Sequence, residues 1–572
     1  SPASSIGAST AANDPTASPA SSIGASTAAN DPTASPASSI GAKAAAGGGS
    51  WAPMRDRVFR ILFLAQLGSN VGSWMQTVGA QWLLVEHHSS TALIAAVQTA
   101  SLLPVMLFSL PAGVMADVLD RRRLLIYLQL GMAVVAGALA WLTQAGLTTP
   151  AVLLALTFVL GCGQAFVGPA WQAIQPELVP REEIPAAATL GSLTVNVARA
   201  VGPAVAGFLV AASGAALVFA INAASFLFVV AAVATWHRAP QVGSGHPERA
   251  LAALRAGNRY MRNAPSPRRI LLRAALFVIP ASALWALLPV VASSKLALSA
   301  GGYGVLLAAL GVGAVIGAFT LSWMGSFLSP NRLLAASAVV FAAGTLVLGV
   351  TSSKVAVVVA MVPTGVAWLV SLSTLNSSLQ LSLPAWVRAR ALAVYLLVFM
   401  GGQAIGSFGW GALAAPLGVA PVLAIAAGLL VAAAVSVRWL PLRPLTGKLD
   451  RTTNANWPDP HLVFEPDPTG GPILVVKRYQ VAPSDNAEFL EAIDRVGLSR
   501  RRTGATRWGV FREGEDAQTF VEVFEVPSWQ EHQDQRSIRL TGADSEFEER
   551  ANRLSSPAPT VEHLLPARDR IG

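Results

Sequence analysis

The stretch Gly113-Val-Met-Ala-Asp117-Val-Leu-Asp-Arg121-Arg122-Arg123 decides how this chain is read. It lies between two long apolar segments. Three consecutive arginines directly after an apolar helix hold the intervening loop on the cytoplasmic side of a bilayer. Asp117 stands where a carboxylate can pair with a cation or accept from a helix N-terminus. A plain basic membrane anchor would need neither the glycine nor the aspartate at these offsets. The stretch therefore reads as a structured joint between two membrane spans.

The rest of the composition agrees. The 572 residues are 53% hydrophobic and 12% charged, with a mean hydropathy of +0.52. An average soluble domain carries about 25% charge, so most of this chain is not built for water. The net charge of +9 is uneven. Residues 1–50 hold one Lys and two Asp (−1), residues 51–450 hold 24 Lys+Arg against nine Asp+Glu (+15), and residues 451–572 hold 15 against 20 (−5). The basic excess sits among the apolar segments, so it reads as orientation in a bilayer and not as nucleic-acid binding. Cys162 is the only cysteine. One thiol allows neither a disulfide framework nor a cysteine zinc cluster within the chain, and no metal or cofactor is expected. The first residues lack a basic region followed by an apolar one, so no cleavable leader is expected.

Residues 1–42 are two and a half copies of the 17-residue unit SPASSIGASTAANDPTA, beginning at Ser1, Ser18 and Ser35. One isoleucine per unit cannot offset the ordering entropy, so residues 1–50 are expected to be disordered repeats and linker. Twelve apolar segments follow, each able to cross ~30 Å of hydrocarbon. They are 59–85, 91–115, 124–146, 150–173, 186–212 and 215–234, then 270–292, 302–323, 333–350, 355–380, 391–414 and 419–437. With the N-terminus inside, every loop rich in arginine faces the cytoplasm, and the outside loops hold only Lys295 and Lys354. The segments form a six-helix half over 51–240, a basic cytoplasmic loop over 241–269, and a second half over 270–448. Both termini fall on the cytoplasmic side. A weak repeat at an offset of 204 aligns Ala200-Val-Gly202-Pro-Ala-Val-Ala-Gly207 with Ala404-Ile-Gly406-Ser-Phe-Gly-Trp-Gly411. That register sets the fifth span on the eleventh, as two parallel halves require.

After a Pro/Asn/Asp linker over 449–472, residues 473–568 read as a soluble domain. Alternation marks strands at 473–481, 507–511, 519–526 and 560–564. Helical patterns cover 485–501, 528–535 and 544–554. The order β-α-β-β-α-β points to a ferredoxin-like α+β sheet with helices on one face. The linker predicts few contacts between this domain and the spans. An open sheet face or edge makes the domain a candidate for homodimer formation.

Several residues point to chemistry inside the bilayer. Arg199 lies about 13 residues, or ~20 Å, into the fifth span. A charge at that depth costs roughly 2.5–3.5 kcal/mol unless it faces the bundle interior. It follows Asn196 and precedes Gly202-Pro203 and Gly207. Proline there removes a backbone bond and the glycines permit close packing. In the first span Gln66, Asn70, Ser73, Thr77 and Gln81 share one helical face. Facing lipid would be unfavourable for them, so they face other helices or a cavity. The fourth span adds Gln164, Trp171, Gln172 and Gln175, and the tenth adds Asn376 and Gln380. No Asp or Glu lies in the middle of any span. In the last domain Tyr479, Trp508 and His532 could line a pocket.

The 113–123 stretch resembles the loop 2–3 signature of the major facilitator superfamily. Gly163-Gln-Ala-Phe-Val-Gly-Pro169-Ala-Trp-Gln-Ala-Ile-Gln-Pro176-Glu-Leu-Val-Pro180, Leu254-Arg-Ala-Gly-Asn-Arg-Tyr260-Met-Arg262 and Arg388-Ala-Arg390-Ala-Leu are similar to its enterobactin-exporter-like, or transmembrane secretion effector, branch. The resemblance implies an all-α membrane protein of twelve helices that exports siderophore-like or amphipathic drug-like molecules from a bacterial cytoplasm, with proton antiport as the family's expected coupling. It implies that Gly113, Asp117, Arg121, Arg122 and Arg123 form a gate, that the polar residues and Arg199 line a substrate cavity, and that Gly202, Pro203 and Gly207 form a helix-bend motif. Val118 departs from the gate pattern, which commonly has a basic residue there. Trp529-Gln-Glu-His532 resembles the antibiotic-biosynthesis-monooxygenase-like domain fused to some members. That keeps a rival open: a membrane-tethered oxygenase acting on a polyaromatic substrate.

Overall fold

A computed structural model describes residues 51–236, 256–442 and 466–567. The expected N-terminal repeats and most of the 449–472 linker lie outside the described residues. The side chain of Asp117 lies outside them too. The spans emerge as long helices: α1 (Arg57–Glu86), α2 (Thr91–Val118), α3 (Arg121–Gln144), α4 (Pro150–Leu178), α5 (Ile184–Ser213) and α6 (Ala215–Thr235). Then come α7 (Pro265–Val290), extended by a π turn over Val291–Lys295, α8 (Ala300–Phe327), α9 (Pro330–Val350), α10 (Lys354–Ser382), α11 (Ala385–Leu417) and α12 (Val419–Val435). Eleven helices among the described residues are long and apolar enough to cross a membrane, with α1 the exception among these twelve. Its Gln/Asn/Ser face accounts for that.

Local sequence sets the helix starts. Asp56, Ser90, Asp120, Thr149, Ser329 and Ser353 each accept a hydrogen bond from a first-turn amide. Such caps satisfy donors that lipid cannot. The joint after α2 is therefore short. Leu119 links the helices, and Asp120 accepts from the Arg123 amide at 2.8 Å. The carboxylate shown at the helix N-terminus is that of Asp120.

One expectation needs correction. Residues 241–269 read as a basic loop, yet 256–263 are helical and α7 begins at Pro265. This short helix is not a solvated loop, because Tyr260, Met261 and Ala264 are buried against Ile270, Leu379, Val387 and Tyr395. Its arginines masked an apolar face too short to register as periodic.

The C-terminal part contains β1 (Ile473–Gln480), α13 (Asn486–Thr503), β2 (Arg507–Arg512), β3 (Thr519–Val526), α14 (Trp529–Asp534), α15 (Gly542–Arg553) and β4 (Thr560–Leu564). The strands form one antiparallel sheet in the order β2-β3-β1-β4. Phe489, Ile493 and Val496 of α13 bury their stripe against Tyr479 and Phe520. Amid this core Arg500 is 1% exposed and bonds Glu522 (3.1 Å) and Glu548 (2.8 Å), while Lys477 reaches Glu548 at 2.7 Å. Glu522 and Glu548 outweigh burial and hold the Arg500 guanidinium firmly protonated.

This domain is not free of the helices, contrary to the expectation of few contacts. Arg259 donates to Glu531 at 2.9 Å, and the Trp386 Nε1 donates to the Arg539 carbonyl at 3.2 Å.

Candidate transport site between the helix groups

Where the two groups of six helices touch is informative. One apolar cluster joins them, running from Met75, Trp82, Ala95 and Val210 to Leu284, Ala300, Tyr303 and Leu307. These residues lie toward the ends of the helices remote from the arginines. At the basic ends the clusters stay within one group. Leu62, Leu125, Ile174 and Trp236 pack together in α1–α6, and Tyr260, Leu379, Val387 and Tyr395 pack together around α7–α12. Among the described residues the buried apolar clusters thus join the groups at the far end and stay within one group at the basic end.

Glycines make the seal. A Cβ on Gly207 of α5 would lie 2.7 Å from both the Ala300 carbonyl and the Gly304 Cα of α8. One on Gly311 would lie 2.7 Å from the Ala200 Cα. Gly411 of α11 packs directly on Ala95 of α2. Only residues without a side chain let backbones approach this closely. Gly202 seats Trp74, whose Cβ lies 2.7 Å from where a Cβ would stand. The Gly202, Pro203 and Gly207 motif thus has a packing role at the junction of the groups. Pro203 sits inside α5 and its carbonyl faces Gly304.

Arg199 stands one turn before Gly202, and both address the same partner. Its guanidinium lies 5.7 Å from the Trp74 ring centroid. Trp74 neighbours Trp285 of α7 (6.3 Å), and Trp285 neighbours Trp368 of α10 (5.5 Å). A line of aromatic rings with one cation at its end thus crosses from one helix group to the other. No carboxylate lies against Arg199 among the described ion pairs.

Much of the polar stripe is engaged in bonds between helices. Gln66 donates to Asn70 (3.0 Å), which donates to Thr194 of α5 (3.1 Å). Gln164 donates to Ser73 (3.1 Å), and Tyr303 donates to the buried Gln81 (2.7 Å). Thr77 bonds back to the Ser73 carbonyl. Asn376 and Gln380 bond each other, and Gln172, Asn196 and Gln380 are exposed. A cleft between the basic ends of α1, α4 and α5 is lined by Phe59, Phe63, Gln66, Trp171, Gln175 and Thr194. Sequence reading missed Thr194, Phe59 and Phe63, since nothing in their own segments names the partner helix.

At the joint, Arg121 bonds Glu177 of α4 at 2.5 Å and the Ala173 carbonyl at 3.2 Å. Arg122 donates to the Val233 and Ala234 carbonyls at the end of α6, as a cation at a helix C-terminus should. Arg123 is exposed. Glu177 was missed as the partner of Arg121, although it sits in the Gln175-Pro176-Glu177 exit of α4.

In the C-terminal domain Tyr479 donates to Glu522 at 3.0 Å and the Trp508 Nε1 donates to Glu522 at 2.9 Å. His532 and His563 face each other at 3.1 Å. Burial, with His563 and Arg536 beside it, pushes His532 down to about 3. Tyr479 and Trp508 thus meet at Glu522, and His532 pairs separately with His563.

Long apolar helices in two groups, with polar and aromatic side chains between them, define a multi-span membrane protein. The chain belongs to the transmembrane secretion effector family, whose model matches residues 48–570. It is 28% identical over 375 residues to the enterobactin exporter EntS of Salmonella typhimurium, covering 64% of this chain and 88% of that protein. It is 28% identical over 161 residues to the staphyloferrin A transporter of Staphylococcus aureus, covering 28% and 41%. It is 30% identical over 189 residues to the multidrug efflux pump Tap of Mycobacterium tuberculosis, covering 32% and 44%. The matches to these last two span less than half of each relative. Among solved structures, the nucleoside transporter NupG superposes with a TM-score of 0.52 at 16% identity, covering 67% of this chain and 99% of that one. A bacterial homologue of the human lysosomal transporter Spinster gives 0.54 at 16%, covering 68% and 95%. These two show the fold alone. These relatives are named as an exporter, a transporter and an efflux pump, and none of them as an enzyme.

Proposed function

We propose that this protein exports a small amphipathic organic molecule across the inner membrane of a bacterium by alternating access. The observation that carries the reading is the asymmetry between the ends. Among the described residues apolar clusters join the helix groups at the far end, around Gly207, Gly304 and Gly411, and stay within one group at the basic end. Positive-inside orientation assigns the basic end, and both termini, to the cytoplasm. The state described then receives substrate from inside. Gln66, Asn70, Ser73, Thr77, Gln81, Gln164, Trp171, Gln172, Asn196, Arg199, Asn376 and Gln380 are assigned to its path. Gly113, Asp117 and Arg121 to Arg123 are assigned to the gate that closes it.

Arg199 narrows the substrate. Its described partner is the Trp74 ring, which leaves guanidinium donors for an anionic group on the cargo. Trp74 and Trp285 offer faces for an aromatic or apolar portion. A carboxylate- or phenolate-bearing siderophore suits that pairing better than a cationic drug. The relatives that handle enterobactin and staphyloferrin A point the same way. Proton coupling is proposed from the family alone, because no carboxylate stands mid-span; Asp117, Glu86 or the cargo itself would have to carry the proton.

The C-terminal domain is proposed to be ferredoxin-like on its β-α-β-β-α-β order and its β2-β3-β1-β4 sheet. Its outer sheet face, with Phe511 and Leu564 exposed, is the surface proposed for a homodimer. The test of transport is retention of an anionic siderophore and of a cationic dye in cells with and without the gene. Lower siderophore retention with the gene supports the reading. Equal retention of both compounds refutes export, and selective loss of the dye refutes the anionic assignment.

A further inference from the structure

Among the described residues the C-terminal domain meets the helices around the 256–263 helix and the start of α11. Glu531 accepts from Arg259 of the 256–263 helix at 2.9 Å and from Arg539 at 2.6 Å. Arg539 also bonds Asp534 (3.0 Å) and the Thr503 carbonyl (3.1 Å), which fixes its plane. That plane lies 5.5 Å from the Trp386 ring centroid at the start of α11. Trp386 donates to the Arg539 carbonyl and meets Tyr260 edge-on at 5.5 Å. Burial opposes charge on Glu531, but Arg539 and Arg259 outweigh it and hold the carboxyl below its usual range. The grip is thus a desolvated ion cluster on an aromatic plate, not a loose surface contact.

The gripped surface matters. Gly257 brings the 256–263 helix onto Arg390, where an added Cβ would lie 2.8 Å from the arginine Cδ. Trp386 and Arg390 form the basic end of α11. Along their far halves α11 and α2 are in contact across the two helix groups, at Gly411 with Ala95 and at Thr99 with the Ala404 carbonyl. The basic end of α2 carries Gly113 and the joint to Arg121. Rocking the groups about the far-end seal would bring that joint toward the start of α11. The domain thus sits against the start of α11, on the basic face of the second helix group.

We propose that the C-terminal domain is a clamp that rides on α7–α12 and restrains closure of the basic end. Releasing it shifts the transporter toward the closed state. This rests on the alternating-access reading. It differs from that reading in its readout, because closure is measured without substrate.

The experiment uses the full chain in lipid nanodiscs, with Cys162→Ser and spin labels at Leu119→Cys and Phe327→Cys. The distance distribution is compared for the parent, Arg259→Ala and Glu531→Gln. Arg259→Ala leaves the Glu531–Arg539 pair intact, so it releases the clamp without touching the domain's own core. Hydrogen exchange over 256–263 reports release. Faster exchange there, with a rise of roughly threefold or more in the closed population in both variants, is expected. An unchanged distance distribution despite faster exchange would overturn the clamp. So would unchanged exchange in both variants, since the grip would then not hold this helix. Failure of siderophore export with the expected distance change would count against the cargo reading and leave the clamp standing.

Discussion

Gly207→Ala tests the far-end seal at a single atom. The added Cβ would lie 2.7 Å from the Ala300 carbonyl and the Gly304 Cα. Both are backbone, so no rotamer change relieves the clash. Ordinary contact begins near ~3.4 Å, so α5 and α8 must separate by about 0.7 Å or deform. Overpacking of this kind typically costs 1–3 kcal/mol. The penalty falls on the state sealed at the far end and is absent once α5 and α8 part there. A cost of about 2 kcal/mol would shift the balance between the two states by roughly thirtyfold. The assay is a distance distribution between labels at the far ends of α5 and α8, in nanodiscs without substrate. Gly428→Ala is the control, because nothing lies within 4 Å of a Cβ there. If Gly207→Ala folds, inserts and leaves the far-end distances as they were, this glycine contact does not set the seal.

Three further outcomes follow. Arg199→Ala should lower export about tenfold or more while the protein still reaches the membrane, and Arg199→Lys should restore part of it because lysine lacks the planar fork; normal export by the alanine variant would remove Arg199 from the site. Glu177→Gln should lower thermal stability by about 1 kcal/mol, and the exchanged pair Arg121→Glu with Glu177→Arg should recover more than the two single changes add up to, as read by a double-mutant cycle of melting. The C-terminal domain should lose stability in acid. Folded His532 protonates only near 3 against an ordinary 6.5, so the unfolded chain binds the extra proton and stability falls as pH drops from about 6.5 toward 3, by at most about 5 kcal/mol. Glu548, held near 2 by Arg500 and Lys477 despite burial, adds a loss between 4.5 and 2. His532→Gln should remove the upper part of that window, and an acid melting profile unchanged by it would mean that His532 is not the group responsible.

The helices were legible because bilayer thickness, local apolarity and arginine placement act within one segment. Segments 91–115 and 150–173 begin where α2 and α4 begin, and 419–437 overruns α12 by two residues. The strands of the last domain were legible for the same local reason. Partners were not. Asn70 shows as polar in its own segment, but Thr194 lies 124 residues away. Arg121 reads as part of a basic run, while Glu177 lies 56 residues on. The 256–263 helix failed on length, since its apolar face is only about two turns and its arginines dominate a window average. The domain contact failed because an ion cluster shared by Arg259, Glu531 and Arg539 has no periodicity at all.

The weak repeat at an offset of 204 gains a physical reason from these contacts. Its paired glycines occupy corresponding positions in the two helix groups. Gly207 of α5 packs on the start of α8, and its counterpart Gly411 of α11 packs on the start of α2. Gly202 seats Trp74 of α1, and its counterpart Gly406 lies against Ser282 and the Ile279 carbonyl of α7. Advancing each helix by six turns one contact into the other, as a twofold relation between halves demands. Close backbone approach requires glycine at these positions and places no such demand on the residues between them. The symmetry stops at the basic end. There the first half carries the Asp120 to Arg123 joint, whereas the segment from Gly317 to Arg332 in the second half has no acidic residue. The second half is also the one that binds Glu531 and Arg539 at its basic face. With halves that pack alike at one end and are dressed differently at the other, control of the proposed transport cycle is expected where the difference lies, at the basic end.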